Sequence, residues 1–314
     1  MTVPARRPRH VLARLALAGA VLGGAAACGA GAADPGAGAG RSSDATPVYD
    51  RALHDRLPAD VRARGTIRVA SEASYPPASS FGPDGRTVLG FEPDLLADLG
   101  QVLGVRFTYV ITDFGALLGG LDRGRYDVVM SAMTDTTARE KQADFVSYFT
   151  AGTSILARRG NPLGISELGD LCGKSVAVQQ DTVQQDFVRR LQPRCGGRPI
   201  RVHAPSTFAE VMLELRTGRA DAVLLDYPPA AHAVADPKTR AFYQLVSTTQ
   251  YEPGPWGIAV PKSQGELRDV LSEAMNRLMR GGHYREILAR WGVTDGAVSS
   301  AQINAASNAA LPAN

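Results

Sequence analysis

Through the middle of this chain, short apolar runs alternate with stretches whose apolar residues recur at helical spacing. Thr66–Ala70 (TIRVA) is a β-branched run after Gly65 and reads as a strand. Phe91, Leu95, Leu96, Leu99 and Val102 then repeat with the period of a helix, and Gly104 ends it. The same reasoning predicts strands over 105–111, 126–130 and 153–157. It predicts a helix over 114–121 and one or two helical turns over 136–142. The alternation restarts with strands over 175–178, 199–202, 220–224, 242–246 and 256–260. Helices are predicted over 183–191, 207–215, 228–235, 265–279 and 283–291.

Strands alternating with helices indicate α/β lobes with largely parallel sheets. The two halves echo each other: LDRGRYDVVMSA (121–132) parallels LRTGRADAVLLD (215–226). Each is a helix end, a glycine turn and an apolar strand running out at a polar group. Two similar lobes are therefore expected, each with a site at the carboxyl ends of its strands.

The ends of the chain break the alternation. Residues 1–14 hold Arg6, Arg7, Arg9 and Arg14 and no acid, and 15–27 is an uncharged apolar run. That run is shorter than the ~20 residues a membrane-spanning helix needs, and it fits a secretory signal over 1–27. Ala25-Ala26-Ala27-Cys28 resembles a lipobox, which makes Cys28 the expected lipidation site. Residues 28–59 are expected to form a flexible tether, rich in Gly, Ala, Ser, Asp and Pro at its start. Residues 294–314, small and polar, are expected to be a disordered tail.

The chain has 314 residues, enough for about two domains. Its formal charge of +3 comes from 34 Lys+Arg against 31 Asp+Glu, and setting the four signal arginines aside leaves 30 against 31. That balance gives no electrostatic case for nucleic acid. Arginine outnumbers lysine 30 to 4 throughout, so a single Arg counts as functional only in context. With Cys28 assigned to lipid, Cys172 and Cys195 form an even pair in an exported chain, and a disulfide is expected between them. Two Cys without a second pair make a poor zinc site, and the five His show no ligand spacing, so neither metal nor cofactor is expected.

Catalytic motifs fail. Gly173-Lys174-Ser175 lacks the glycine five residues earlier that a phosphate loop requires, and it precedes a strand. No G-x-G-x-x-G, G-x-S-x-G or H-E-x-x-H occurs. What remains are three segments where a strand opens into a loop: Glu72 to Tyr75 with Pro76-Pro77, Ser131 to Arg139 with Thr134 between, and Asp226. Arg139 can grip a carboxylate through two charge-assisted hydrogen bonds, helped by the Thr134 hydroxyl. Asp226, from the opposite lobe, can pair with an ammonium. A cation and an anion on facing lobes describe a site for a free α-amino acid.

Five segments in order, GTIRVASEASYPP, GFEPDLLADLG, YDVVMSAMTDTTARE, LCGKSVAVQ and GGHYREILARWGV, resemble bacterial extracellular solute-binding proteins of family 3, over about residues 60–293. The resemblance implies a two-lobe, periplasmic-binding-protein-like (type II) α/β clamshell with two hinge strands. Lobe 1 would comprise 60–156 and 252–293, and lobe 2 would comprise 157–251. It implies that Arg139 binds the ligand carboxylate with Thr134 and Thr182, and that Asp226 binds the ammonium. Tyr75 and Phe114 would form walls, Ser131 would line the pocket, and Glu72 would face the ligand side chain. It also supports the Cys172–Cys195 pairing. The partners implied are an amino acid, with a lean to cationic or polar ones, and the transmembrane subunits of an ABC import permease. The membrane would be reached through the lipid, and a monomer is expected. Four positions depart from the family's pattern: Ala78 replaces an aromatic, so that Phe81 would substitute or the pocket would be wider, Ala132 replaces a serine, and Asp181 and Val183 alter the Gly-Thr-Thr loop to Asp181-Thr182-Val183. The alternative on the same fold is a cyclohexadienyl dehydratase, with Arg139 holding a substrate carboxylate and Glu72 or another pocket acid supplying a proton.

Overall fold

The computed structural model describes residues 47–308. The signal, Cys28 and the tether up to residue 46 lie outside the described residues, as do residues 309–314. Two short helices, α1 (Arg51–Asp55) and α2 (Ala59–Arg64), lead into β1 (Thr66–Ser71). A small antiparallel sheet follows, made of β2 (Ser74–Tyr75), β3 (Ser79–Phe81) and β4 (Val88–Leu89). Then come α3 (Phe91–Leu103), β5 (Arg106–Ile111), α4 (Leu117–Asp122) and β6 (Val128–Val129). The long β7 (Ala143–Arg158) leads to β8 (Ser175–Ala177), α5 (Val183–Leu191), β9 (Arg201–His203) and α6 (Phe208–Thr217). Next are β10 (Ala222–Asp226), α7 (Tyr227–Ala235) and β11 (Tyr243–Leu245). The second long strand, β12 (Tyr251–Pro261), runs back to α8 (Gly265–Gly281), α9 (His283–Arg290) and the terminal α10 (Ala305–Asn308).

The strand order β5-β1-β6-β12-β7-β10-β8-β9 contains the repeat seen in the sequence. β5, β1 and β6 pair in parallel, and so do β10, β8 and β9. Each trio meets one antiparallel crossing strand, β12 beside β6 and β7 beside β10. β7 and β12 pair with each other from Tyr251 with Thr153 to Pro261 with Ala143. The result is two α/β lobes joined by two crossing strands. Separate apolar cores fill them: Leu99, Val128, Trp256 and Leu278 belong to the first, and Val176, Val188 and Leu224 to the second. Cys172 and Cys195 are bonded in the second lobe, with Cα atoms 5.2 Å apart.

The structure corrects the sequence reading in four places. First, β7 spans Ala143–Arg158, not 153–157 alone, while the helical turn expected over 136–142 appears as a 3-10 turn at Arg139–Lys141. From Ala143 to Ala157 only Thr150 escapes burial, so the strand lacks the period-2 signature that a half-exposed strand shows. Second, the tether ends before residue 59. The Asp50 carboxylate caps α1 at the Leu53 N–H, 3.1 Å away, and Leu53 and Leu57 are buried one helical turn apart. Third, the tail is ordered through residue 308, with Ala301 and Ala305 buried. Fourth, Phe81 does not fill the place left by Ala78. It lies on β3 with 45% of its surface exposed, while Ala78 is fully buried.

Candidate functional site

All eight candidate ligand residues, Glu72, Tyr75, Phe114, Ser131, Thr134, Arg139, Thr182 and Asp226, line one cavity between the lobes. Gln179, Val183, Gln184 and Phe208 line it with them. The free space at its centre is about 30 Å³, room for little more than a water.

The cationic side is built on the loop after β6. Ala132 has a φ of 47°, a left-handed turn that costs about 1 kcal/mol for a residue with a Cβ. Its N–H donates to the buried Glu92 carboxylate at 2.7 Å, and the Tyr148 hydroxyl donates to the same oxygen. Burial pushes the Glu92 carboxyl up from its ordinary value, against these two bonds. Thr134 bridges to Trp256 of β12, which anchors the loop to the crossing strand. Arg139 then reaches back. Its Nη1 donates to the Thr134 carbonyl at 2.7 Å, and its Nη2 crosses to the Asp181 carbonyl of the other lobe at 2.9 Å. Its guanidinium lies 5.5 Å from the Phe114 ring centroid. Burial lowers its pKa, but a guanidinium remains charged, and each terminal nitrogen keeps a second N–H to offer a carboxylate.

The anionic side is built on β10 and α7. Asp226 stands at the N-cap of α7, yet its side chain makes no cap bond. An N-cap side chain bonds the N–H of the second or third helical residue, and here both are prolines, Pro228 and Pro229. The carboxylate is thereby released toward the cavity. One oxygen accepts from the Tyr75 hydroxyl at 3.0 Å, and the other from the Gln184 amide at 3.0 Å. The Asp226 N–H in turn donates to the Tyr75 oxygen at 3.0 Å. With only 5% of the residue exposed, burial pushes the carboxyl up to about 7. The two hydrogen bonds and the charge of Arg139 oppose that shift. A ligand ammonium would supply the positive charge this carboxylate lacks.

Thr182 behaves in the opposite way to Asp226. It also caps a helix, α5, and its hydroxyl is committed, accepting from the Gln185 N–H at 3.3 Å and donating to the Gln179 carbonyl at 2.6 Å. Asp181 before it takes a φ of 62°, the conformation that favours glycine at this place. Glu72 accepts from the Gln179 amide at 2.8 Å, and its N–H donates to Ser131 Oγ at 3.1 Å. Tyr75 stacks edge-on against Phe208, with centroids 4.7 Å apart.

Three residues lie outside the sequence reading, and for two of them a signal existed. Glu92 falls on the apolar stripe of α3 with Leu95, Leu96 and Leu99, and Gln184 falls on that of α5 with Val188 and Leu191. A polar residue on the buried face of a helix must find a polar partner. Gln179 ends an apolar strand run and carried no such mark. Among the described residues no cluster of His, Cys, Asp and Glu could hold a metal, and no helix is long and apolar enough to cross a membrane.

Residues 67–294 match the bacterial extracellular solute-binding proteins, family 3. The chain belongs to this family. The arginine-binding protein ArgT of Corynebacterium glutamicum is 29% identical over 252 residues, covering 79% of this chain and 81% of that protein. The L-cystine-binding protein TcyJ of Escherichia coli K12 is 30% identical over 234 residues, covering 74% and 84%. Among solved structures, an ancestral arginine-binding protein bound to arginine superimposes with a TM-score of 0.67 and 34% identity, covering 73% of this chain and 98% of that one. The ancestral amino acid-binding protein AncCDT-1, described as a precursor of cyclohexadienyl dehydratase, gives 0.66 and 31%, covering 74% and 97%. These relatives are named as binding proteins, and this chain is a member of the solute-binding family they share.

Proposed function

We propose that this solute-binding protein captures a free α-amino acid between its lobes and delivers it to an ABC import permease. The observation that carries the reading is the pair of opposite charges in one cavity, Arg139 from the first lobe and Asp226 from the second. In this reading Arg139 and Thr134 hold the carboxylate, and Asp226 holds the ammonium. Tyr75 and Phe114 form the walls, and Glu72 faces the side chain. Thr182 contributes by shaping its loop, since its hydroxyl is already engaged.

Glu72 and Asp181 add negative charge, which favours a cationic or polar amino acid. Relatives named for arginine fit that lean. A cavity of about 30 Å³ cannot admit an amino acid, so the lobes must part for entry. Opening bends β7 and β12 and breaks the Tyr75–Asp226 and Arg139–Asp181 contacts, and closure re-forms them around the ligand. The permease would read the surface that the two closed lobes share. Lipid on Cys28 would hold the receptor, acting as a monomer, at the outer face of the membrane.

The test is thermal unfolding of the full chain against all amino acids, with prephenate as a control. A ligand at 100 times its dissociation constant should stabilise the protein by ~2.7 kcal/mol. The effect should nearly vanish in Arg139→Ala and fall to about 1 kcal/mol in Asp226→Asn. Stabilisation by prephenate alone, with phenylpyruvate released, would overturn the reading.

A further inference from the structure

The family match ends at residue 294, yet the chain beyond it is ordered and makes a defined set of contacts. Gly296 lies on the Phe149 ring so closely that a Cβ would sit 2.0 Å from it. The Val298 N–H then donates to the Tyr284 hydroxyl at 2.9 Å. Ala301 is held at both backbone groups by the Asn276 amide, at 2.9 and 3.0 Å.

Residues 302–304 next behave as an added strand on β7. Ile303 bridges Val146 antiparallel. The Ser147 N–H donates to the Gln302 carbonyl, and the Gln302 N–H to Ser147 Oγ, both at 2.9 Å. Asn304 closes the pattern: its N–H donates to the Phe145 carbonyl at 2.9 Å, and its side-chain oxygen accepts from the Phe145 N–H at 2.9 Å. In the second lobe β7 is flanked, on the side away from β12, by β10 from Ala222 to Asp226. In the first lobe the tail takes that part, and it satisfies backbone groups that an open edge would leave unpaired.

The tail then ends on the ligand loop. The Ala306 N–H donates to the Asp135 carboxylate at 3.3 Å. Asp135 is buried and its N–H donates to the Pro255 carbonyl of β12 at 2.7 Å; burial pushes its carboxyl up, and the nearby Glu140 carboxyl adds to that push. Asp135 follows Thr134 directly, and Glu140 follows Arg139, so this buried pair closes the turn that carries both.

We propose that residues 301–306 are a strap that sets the position of the Thr134–Arg139 turn, with Asp135 as the positioning residue through which it acts. The inference rests on the reading that this turn grips a ligand carboxylate. The strap pulls on the cationic half-site from outside the cavity and touches no ligand.

The test compares the full chain with a chain ending at Ser299 and with Ala306→Pro. The proline removes the Ala306 N–H that meets Asp135, in the first turn of α10, where proline is tolerated. Hydrogen exchange is followed without ligand. Residues 131–140 should exchange about tenfold faster in both variants, with 175–226 unchanged. Calorimetry then uses L-arginine and L-argininamide. Loss of the strap should weaken arginine about tenfold and the amide much less, which narrows the discrimination between them. A synthetic peptide of residues 300–308 added to the truncated chain should restore both readouts. Unchanged exchange over 131–140 would overturn the strap. Faster exchange with arginine affinity and discrimination intact would leave it a stabilising segment and overturn the positioning role. If the full chain binds no amino acid, the functional reading fails by itself, while the exchange comparison still decides the strap.

Discussion

The two halves of the cavity start from the same sequence pattern and end with opposite charges. After β6 the chain stays in a loop, turns at Ala132 and presents Arg139, which the Thr134 carbonyl orients. After β10 the chain enters α7 at once, and Asp226 at its N-cap faces the cavity because Pro228 and Pro229 offer it no N–H. The loop must be held from outside, by Glu92 behind Ala132 and by Asp135 beneath the tail. The helix holds its own residue. A cationic group on a braced loop and an anionic group on a helix start are two solutions to placing a charge at a strand end. The first depends on far more of the chain.

Removing either charge tests that difference most directly. Arg139→Ala should weaken amino-acid binding by about 100-fold or more, since charge-assisted bonds contribute ~1.5–3 kcal/mol each. Calorimetry reads this, and an affinity within threefold of the parent would move the carboxylate site elsewhere.

The lobes also differ in how they are tied, the first by its tail and the second by Cys172–Cys195. A closure of 23 residues in sequence is worth about 3 kcal/mol in the chain-entropy view. Cys172→Ala with Cys195→Ala should therefore lower the stability of the second lobe by about that much. Exchange measured lobe by lobe would show it, and equal loss in both lobes would mean they unfold as one.

Asp226→Asn should weaken binding by about tenfold to thirtyfold, less than the arginine change, because an amide still accepts from an ammonium. It should also alter the response to pH. The native Asp226 carboxyl, near 7, keeps a proton that the unfolded chain releases near its ordinary value of about 3.9. The contribution of this group is full below that lower value and is lost as pH rises toward 7. Urea unfolding at pH 5 and pH 8 should show a smaller drop in the Asn variant, and an identical drop would remove Asp226 as its source. Tyr75→Phe should have the smallest effect, about threefold on affinity. Losing the Tyr75 bond, which lowers the Asp226 pKa, should move the carboxyl further up, and a downward shift in a pH titration would contradict the geometry.

Much of the fold was legible in the sequence, element by element. The periodic helices α3, α5 and α8 and the strands β1 and β10 appear within a residue or two of their expected bounds, because each pairs an apolar face with a glycine or capping stop. β7 was cut short because a strand buried nearly throughout has no alternation to read. The tail was missed because its contacts are mostly backbone groups and small residues, Asn304, Ala301 and Ala305, which look like linker composition until an open strand edge lies beside them.

The sequence by itself determined the family, the two-lobed α/β plan, the cysteine pair and eight of the residues that meet in the cavity. Those features come from local periodicity and from short motifs that carry their own chemistry. Only the tertiary structure decided what each of those residues is free to do. It committed the Thr182 hydroxyl to a cap, released the Asp226 carboxylate onto Gln184, and set Glu92 and Asp135 behind the groups that face the cavity. The physical reason is that a polar side chain is shared among all the partners the fold brings within hydrogen-bonding distance. Most of those partners are tens of residues away in sequence.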